Sequence, residues 1–367
     1  MESTKSWLDF LKLRGSWGQN GNENISNFQY LATIAFADAA SYRFGTDPSS
    51  MLQGAYADIL PNKDITWEKS EQLDFGLDAR LLNSRLGINF DWYKKTTKDW
   101  LVQAPILATA GTGAPYINGG NIENKGFELG LTWNDKIGTD LTYGVNLNLA
   151  YNKNKVTKIA NASGYILGPS KVLSEGTDEF YRAQVGLPLG VFYGYKTAGV
   201  FQNLSEIAAW KAAGKPTFAG VQPGDLKFVD IDGNGVLDSN DKTNIGDPNP
   251  HYILGFSFNV GYKGFDLAVT TYGNFGQKIA RSYRKFLDGR QENYTTEVFN
   301  YWHGEGTSNK YPRLTAGNIS NNWKNLSDIY VENGDFLKIS NVTIGYDFKK
   351  LWKAAPLQQM RIFATVQ

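Results

Sequence analysis

An all-β fold is the prediction for this chain, and three observations carry it. Apolar and polar residues alternate with a period of two along one segment after another. Aromatic residues make up 14% of the 367 residues and glycine contributes 39, a composition that suits strands separated by many turns. No run approaches the roughly 20 apolar residues of a membrane helix, which excludes helical spans only. A membrane β-barrel stays open, because its strands carry the apolar signal in segments of about 10 residues.

The strands follow in order. Leu11, Leu13, Gly15 and Trp17 share one parity and Lys12, Arg14 and Ser16 the other. Leu73, Phe75, Leu77, Ala79 and Leu81 repeat the pattern, and Leu86, Ile88, Phe90 and Trp92 answer it across a short turn at Asn83 and Ser84, so the two segments read as a hairpin. A second hairpin runs through Phe127, Leu129, Leu131 and Trp133, turns near Asp135, and returns through Leu141, Tyr143, Val145, Leu147, Leu149 and Tyr151. A third alternates from Tyr252 to Tyr262, turns at Lys263, and continues through Phe265, Leu267 and Val269. Val342, Ile344, Tyr346 and Phe348 form a further strand, followed by one from Met360 to Val366.

Alternation alone fits a barrel wall facing lipid or a soluble sheet with one wet face. Aromatic residues such as Trp92, Trp133, Tyr151 and Tyr262 suit an interfacial girdle. Connection lengths add an asymmetry: three turns are tight, whereas residues 152–251 and 274–335 are long and carry little sustained alternation. Outer-membrane barrels have short turns at one rim and large external loops at the other, and compact soluble domains seldom carry such long connections. Within the first region, Ser205 is the expected cap of a short helix ended by Gly214.

Charge and composition narrow the function classes. Thirty-seven Lys and Arg against 36 Asp and Glu give a net charge of +1, which argues against a broad nucleic-acid surface. Without cysteine there is no disulfide framework, thiolate metal site or cysteine nucleophile. The start, Met1-Glu2-Ser3-Thr4-Lys5, has no signal-peptide character, and the last segment is an alternating strand without a closing turn, so the chain is expected to be a piece of a longer one. Glu68 and Glu71, the best carboxylate pair for a hydrolase, differ in parity along a strand and so face opposite ways. His251 and His303 lie far apart with no ligand pattern around them.

The sharpest motif is the twelve-residue stretch from Asp230 to Asp241. Oxygen donors fall at positions 1, 3, 5, 9 and 12 (Asp230, Asp232, Asn234, Asp238 and Asp241), Gly235 sits at position 6, and Val236 offers a backbone carbonyl at position 7. That is the spacing of a calcium loop, with Asp in place of the usual final Glu. The expected ion is a structural Ca²⁺ tying down a long loop. An acidic turn held by Asx bonds is the plainer reading. Trp100, Tyr116, Tyr193, Tyr195, Trp302 and Trp323 are the candidate substrate contacts, because an aromatic plane packs well on the C–H face of a sugar; Tyr294 and Tyr301 are of the same kind.

Seven segments together carry a family resemblance. They are Leu11 to Asn22 (LKLRGSWGQNGN), Trp67 to Gly76 (WEKSEQLDFG), Asn118 to Glu128 (NGGNIENKGFE), Pro223 to Asp230 (PGDLKFVD), Asn244 to Pro250 (NIGDPNP), Tyr311-Pro312-Arg313, and Phe336 to Val342 (FLKISNV). In order and spacing the chain resembles the C-terminal part of the barrel of SusC/RagA-type TonB-dependent outer-membrane transporters of Bacteroidota. The resemblance implies residues 1–367 as part of a 22-stranded membrane β-barrel, with 152–251 and 274–335 as extracellular loops. It also implies TonB-driven import of glycans or oligopeptides without catalysis, a SusD-like surface lipoprotein as partner, and a plug and TonB-contacting segment that this chain does not match. The alternative from the residues alone is a secreted, calcium-stabilised, β-rich carbohydrate-binding module built from two packed sheets.

Overall fold

The computed structural model describes residues 6–43, 51–104, 106, 108–169, 172, 179–281, 294–315, 321–352, 354, 356–358 and 360–367. The initial Met1 to Lys5 lies outside them. Nine strands form one antiparallel wall: β1 (Leu8–Asn22), β2 (Glu68–Leu81), β3 (Leu86–Lys98), β4 (Gly120–Ile137), β5 (Leu141–Ile159), β6 (Tyr252–Tyr262), β7 (Phe265–Phe275), β8 (Phe336–Asp347) and β9 (Arg361–Val366). Each pairs only with its neighbours in sequence, and β1 and β9 are the two edges, so the sheet does not close on itself. The β6–β7 turn is Lys263-Gly264, both at positive φ (50° and 94°), the two-residue geometry that matches the twist of a hairpin.

Register turns the alternation of single strands into continuous rows. Leu13, Leu77, Phe90, Leu129, Leu149 and Leu254 stand directly opposite one another from strand to strand. Phe75, Trp92, Phe127, Tyr151, Tyr252 and Phe275 form a parallel aromatic row nearer the long connections, with Phe127–Tyr151 and Tyr151–Tyr252 ring centroids 5.6 and 5.0 Å apart. Towards the tight turns a second row runs Tyr262, Phe265, Tyr346, Ile362. Among the described residues nothing covers this apolar face: Leu13 is 73% and Trp17 68% exposed. That overturns the two-sheet module, whose apolar faces would be buried against each other.

The opposite face is polar. Arg14 bridges Asp78 and Asp91, both at 3.0 Å, and Asn89 donates to Asp78 at 2.6 Å. Asn146 donates to Ser257 at 3.3 Å, and Arg361 pairs with Asp266 at 2.5 Å. Gly126 lies in this face where a side chain would run into the backbone carbonyl of Tyr151, an atom that cannot give way.

The long connections are where the structure departs most from the sequence reading. The wall strand β5 runs on to Ile159, and beyond it residues fold into their own small sheets. Tyr165–Leu167, Tyr181–Gln184, Val191–Tyr195 and Lys242–Gly246 make a four-stranded sheet, and Thr197–Val200 pairs with Leu226–Phe228. Lys278–Ala280 pairs with Val331–Asn333. Both connections feed one core of Phe180, Phe192, Val200, Phe228, Trp323 and Tyr330, among others. The chain's densest packing is thus in this cap and not in the wall. Helix α1 (Leu204–Ala212) is present, but its cap is Asn203, whose side chain accepts from the Glu206 N–H at 2.9 Å. Ser205 instead donates its hydroxyl to Asn203.

Candidate functional site

The Asp230–Asp241 loop belongs to the cap. Its backbone turns at Gly233 and Gly235, with φ of 74° and 80°. Carboxylate oxygens of Asp230, Asp232 and Asp241 lie within 4.8 Å of one another. Asp241 is wholly buried and accepts from the N–H groups of Ile231 and Asp238 at 2.8 and 2.9 Å. Asp230 accepts from Gly235 and Gly233, bonds that hold its carboxyl below the usual carboxylate range, the Gly235 bond contributing most. These three carboxylates are a hard-oxygen set able to hold a divalent cation. The Asp238 carboxylate is outside that set and caps the turn Ser239–Asp241 in a reciprocal pair of bonds with Asp241, and Asn234 Oδ1 accepts from the Val236 N–H at 2.8 Å. Three of the six residues expected as ligands are therefore brought together by their side chains.

The aromatic candidates divide by burial. Tyr195 and Trp323 are core residues, 6% and 2% exposed, and Tyr301 is buried at 3%. Their rings contact the cap core, which corrects the expectation that they offer a face to substrate. Trp100 packs beside Val156 and Ile159 under the cap. Trp302 is half-buried against the same core as Trp323 and donates its indole N–H to Gln202 at 3.2 Å. The Arg182 guanidinium carbon lies 3.7 Å from the Tyr193 ring centroid and 4.3 Å from that of Tyr165. Tyr116 sits in a short strand whose carbonyl accepts from Asn62 at 2.7 Å.

One cluster escaped the sequence reading. Phe28, Tyr30 and Trp67 line a cavity of about 230 Å³ at the loop end of β1 and β2, with Asn27, Gln29 and Thr66 beside them. Phe28 has φ of 65°, a left-handed backbone that a bulky residue rarely adopts. All three rings are more than 49% exposed. No local pattern marks them, since they meet only when the β1–β2 connection folds back on the wall.

The other titratable candidates have structural partners. Glu71 pairs with Lys98 at 2.7 Å, while Glu68 accepts from the Leu101 N–H at 3.3 Å, so the two do not converge. His251 contacts Asp247 at 3.1 Å and His303 contacts the Tyr301 carbonyl at 2.9 Å.

A family model described as TonB dependent receptor-like, beta-barrel matches residues 6–274. The chain is 29% identical over 362 residues to TonB-dependent receptor P3 of Formosa agariphila, covering 97% of this chain and 34% of that protein. It is also 29% identical over 369 residues to TonB-dependent receptor SusC of Bacteroides thetaiotaomicron, covering 98% of this chain and 34% of that protein. A solved structure described as the RagAB peptide transporter superposes with a TM-score of 0.73 at 23% identity, over 99% of this chain and 38% of that one, which shows a shared fold. The open nine-stranded wall is thus an all-β domain homologous to the barrels of TonB-dependent receptors. The chain belongs to the SusC/RagA type of these outer-membrane receptors and spans about a third of the length of the curated relatives it matches. The kinship is to transport proteins and not to enzymes.

Proposed function

We propose that this chain forms part of the wall and outer cap of a nutrient importer that takes up glycans or oligopeptides across the outer membrane. The carrying observation is the two-faced wall: apolar rows in register on one face, hydrogen-bonded polar groups on the other. Lipid requires such a face, and an open edge in lipid leaves backbone groups unpaired, so β1 and β9 are expected to pair with further strands in a closed barrel of 22. From Tyr252 to Tyr262 a strand advances about 34 Å, or about 24 Å of membrane height at a tilt of about 45°. That agrees with the roughly 25 Å apolar band of outer-membrane barrels.

On this reading the cap, the Phe28–Tyr30–Trp67 cluster and Tyr193 face the outside and contact substrate, a SusD-like lipoprotein closes over them, and TonB supplies energy through segments beyond this chain. A Ca²⁺ ion on Asp230, Asp232 and Asp241 holds the cap loop. The test is uptake by the full-length protein in its own outer membrane, scoring labelled neutral oligosaccharide against labelled oligopeptide, with and without the TonB system. Uptake of one class that vanishes without TonB supports the proposal; no energised uptake of either class counts against it.

A further inference from the structure

Just beyond the aromatic row, towards the long connections, the lipid-facing parity of the wall becomes basic. Lys94 on β3 stands directly opposite Lys125 on β4, and Lys125 directly opposite Lys153 on β5. These three occupy the outward positions two residues past Trp92, Phe127 and Tyr151, about 7 Å further along the strands. One row higher, Lys155 on β5 stands opposite Glu123 on β4, and two rows higher Lys69 on β2 stands opposite Lys98 on β3. Lys94, Lys125, Lys153 and Lys155 are all exposed.

Like charges directly opposite on adjacent strands are destabilising, and this belt contains three such oppositions. Internal neutralisation is partial. Glu123 serves both Lys94 (2.9 Å) and Lys125 (3.6 Å), and Glu71 serves Lys98 (2.7 Å). Six lysines (69, 94, 98, 125, 153 and 155) thus share two glutamates (71 and 123), a net of +4 on one strip of a chain whose total is +1. The strip is also one-sided. At the other end of the same face the corresponding positions carry Ile137, Tyr262, Phe265 and Tyr346.

We propose that this lysine belt binds the phosphate groups of lipid headgroups in the outer leaflet. Level, charge and direction agree: the belt begins where aromatic rings mark the edge of the hydrocarbon, it points out of the wall, and ammonium groups in adjacent strands match phosphates at a crowded headgroup surface. The cross-strand repulsion is relieved when an anion sits between the lysines. This requires only that the apolar face meets lipid, so the uptake reading can fail without affecting it.

The experiment uses full-length receptor purified from outer membranes in mild detergent. Lipid phosphate retained per protein is measured by mass spectrometry, and binding is measured to nanodiscs with phosphorylated or dephosphorylated lipid A. Each lysine facing an anionic lipid surface is worth about a fivefold change in affinity, so K94Q/K125Q/K153Q is expected to weaken binding to the phosphorylated discs by about a hundredfold. The Lys→Arg triple variant should keep it. Lys95→Gln, one residue along β3 and facing the polar side, should change nothing. Should the triple variant fail to assemble, judged by heat-modifiable migration, Lys153→Gln alone is measured, with about a fivefold loss expected. Equal binding by wild type and the glutamine variants overturns the proposal, as does equal binding to the two kinds of disc.

Discussion

Asp241 shows how one side chain can serve two ends. Its carboxylate is buried and accepts two backbone N–H groups of its own loop, and the same oxygens stand beside Asp230 and Asp232. Asp241→Ala removes the shared acceptor of two part-buried backbone N–H groups, those of Ile231 and Asp238, and is expected to open the loop to protease with or without cation. Asp232→Asn, at an exposed position, should leave the loop folded and lower cation affinity, read as a smaller gain in proteolytic protection on adding Ca²⁺. Asp230 sets a pH dependence. Its folded-state pKa lies below its ordinary value, so the unfolded chain takes up the proton first as pH falls. Its contribution is therefore complete above about pH 5, declines through the ordinary carboxylate range near 4, and is gone below the depressed value. Loop protection measured between pH 3 and 7 should follow that course; protection that rises on acidification would contradict the assignment.

At the scale of elements, parity decides what each strand tolerates. Leu129 on β4 sits in the middle of the apolar rows, between Phe90 and Leu149, while Asn148 on β5 faces the polar side opposite Gly130 and Gly255. Leu129→Arg places a charge in hydrocarbon at a cost of roughly 2–4 kcal/mol and is expected to lower the yield of assembled, heat-modifiable barrel. Asn148→Arg should assemble at near wild-type yield. Equal yields for the two variants would show that this face does not meet lipid. The wall strands were legible because a period of two is a local property: Leu86, Ile88, Phe90 and Trp92 announce their face without any neighbour. Their ends were less so. Beyond the aromatic row both faces turn polar, as at Lys94 and Lys95, so alternation fades while hydrogen bonding continues to Lys98 and, on β5, to Ile159.

For the whole molecule, the cap and the wall are stabilised in different ways. The cap has a packed core, in which Tyr330 donates to the Trp323 carbonyl at 2.8 Å, whereas the wall is held by cross-strand hydrogen bonds and leaves its apolar face exposed. Trp323→Ala should destabilise the cap by about 3–5 kcal/mol, measured as faster proteolysis of residues 160–250, while the wall keeps its heat-modifiable migration. Loss of both together would mean that cap and wall unfold as one unit. The sequence by itself determined the strands, their two faces, the tight turns and the acidic loop, because each follows from the spacing of neighbouring residues. Only the tertiary structure decided that the long connections share a core, that Tyr195 and Trp323 lie inside it, and that Phe28 and Trp67 line one cavity. It also decided that lysines from three strands stand in one row. Those facts depend on which distant segments meet and in what register, and that is settled by burial and cross-strand pairing between parts of the chain far apart in sequence.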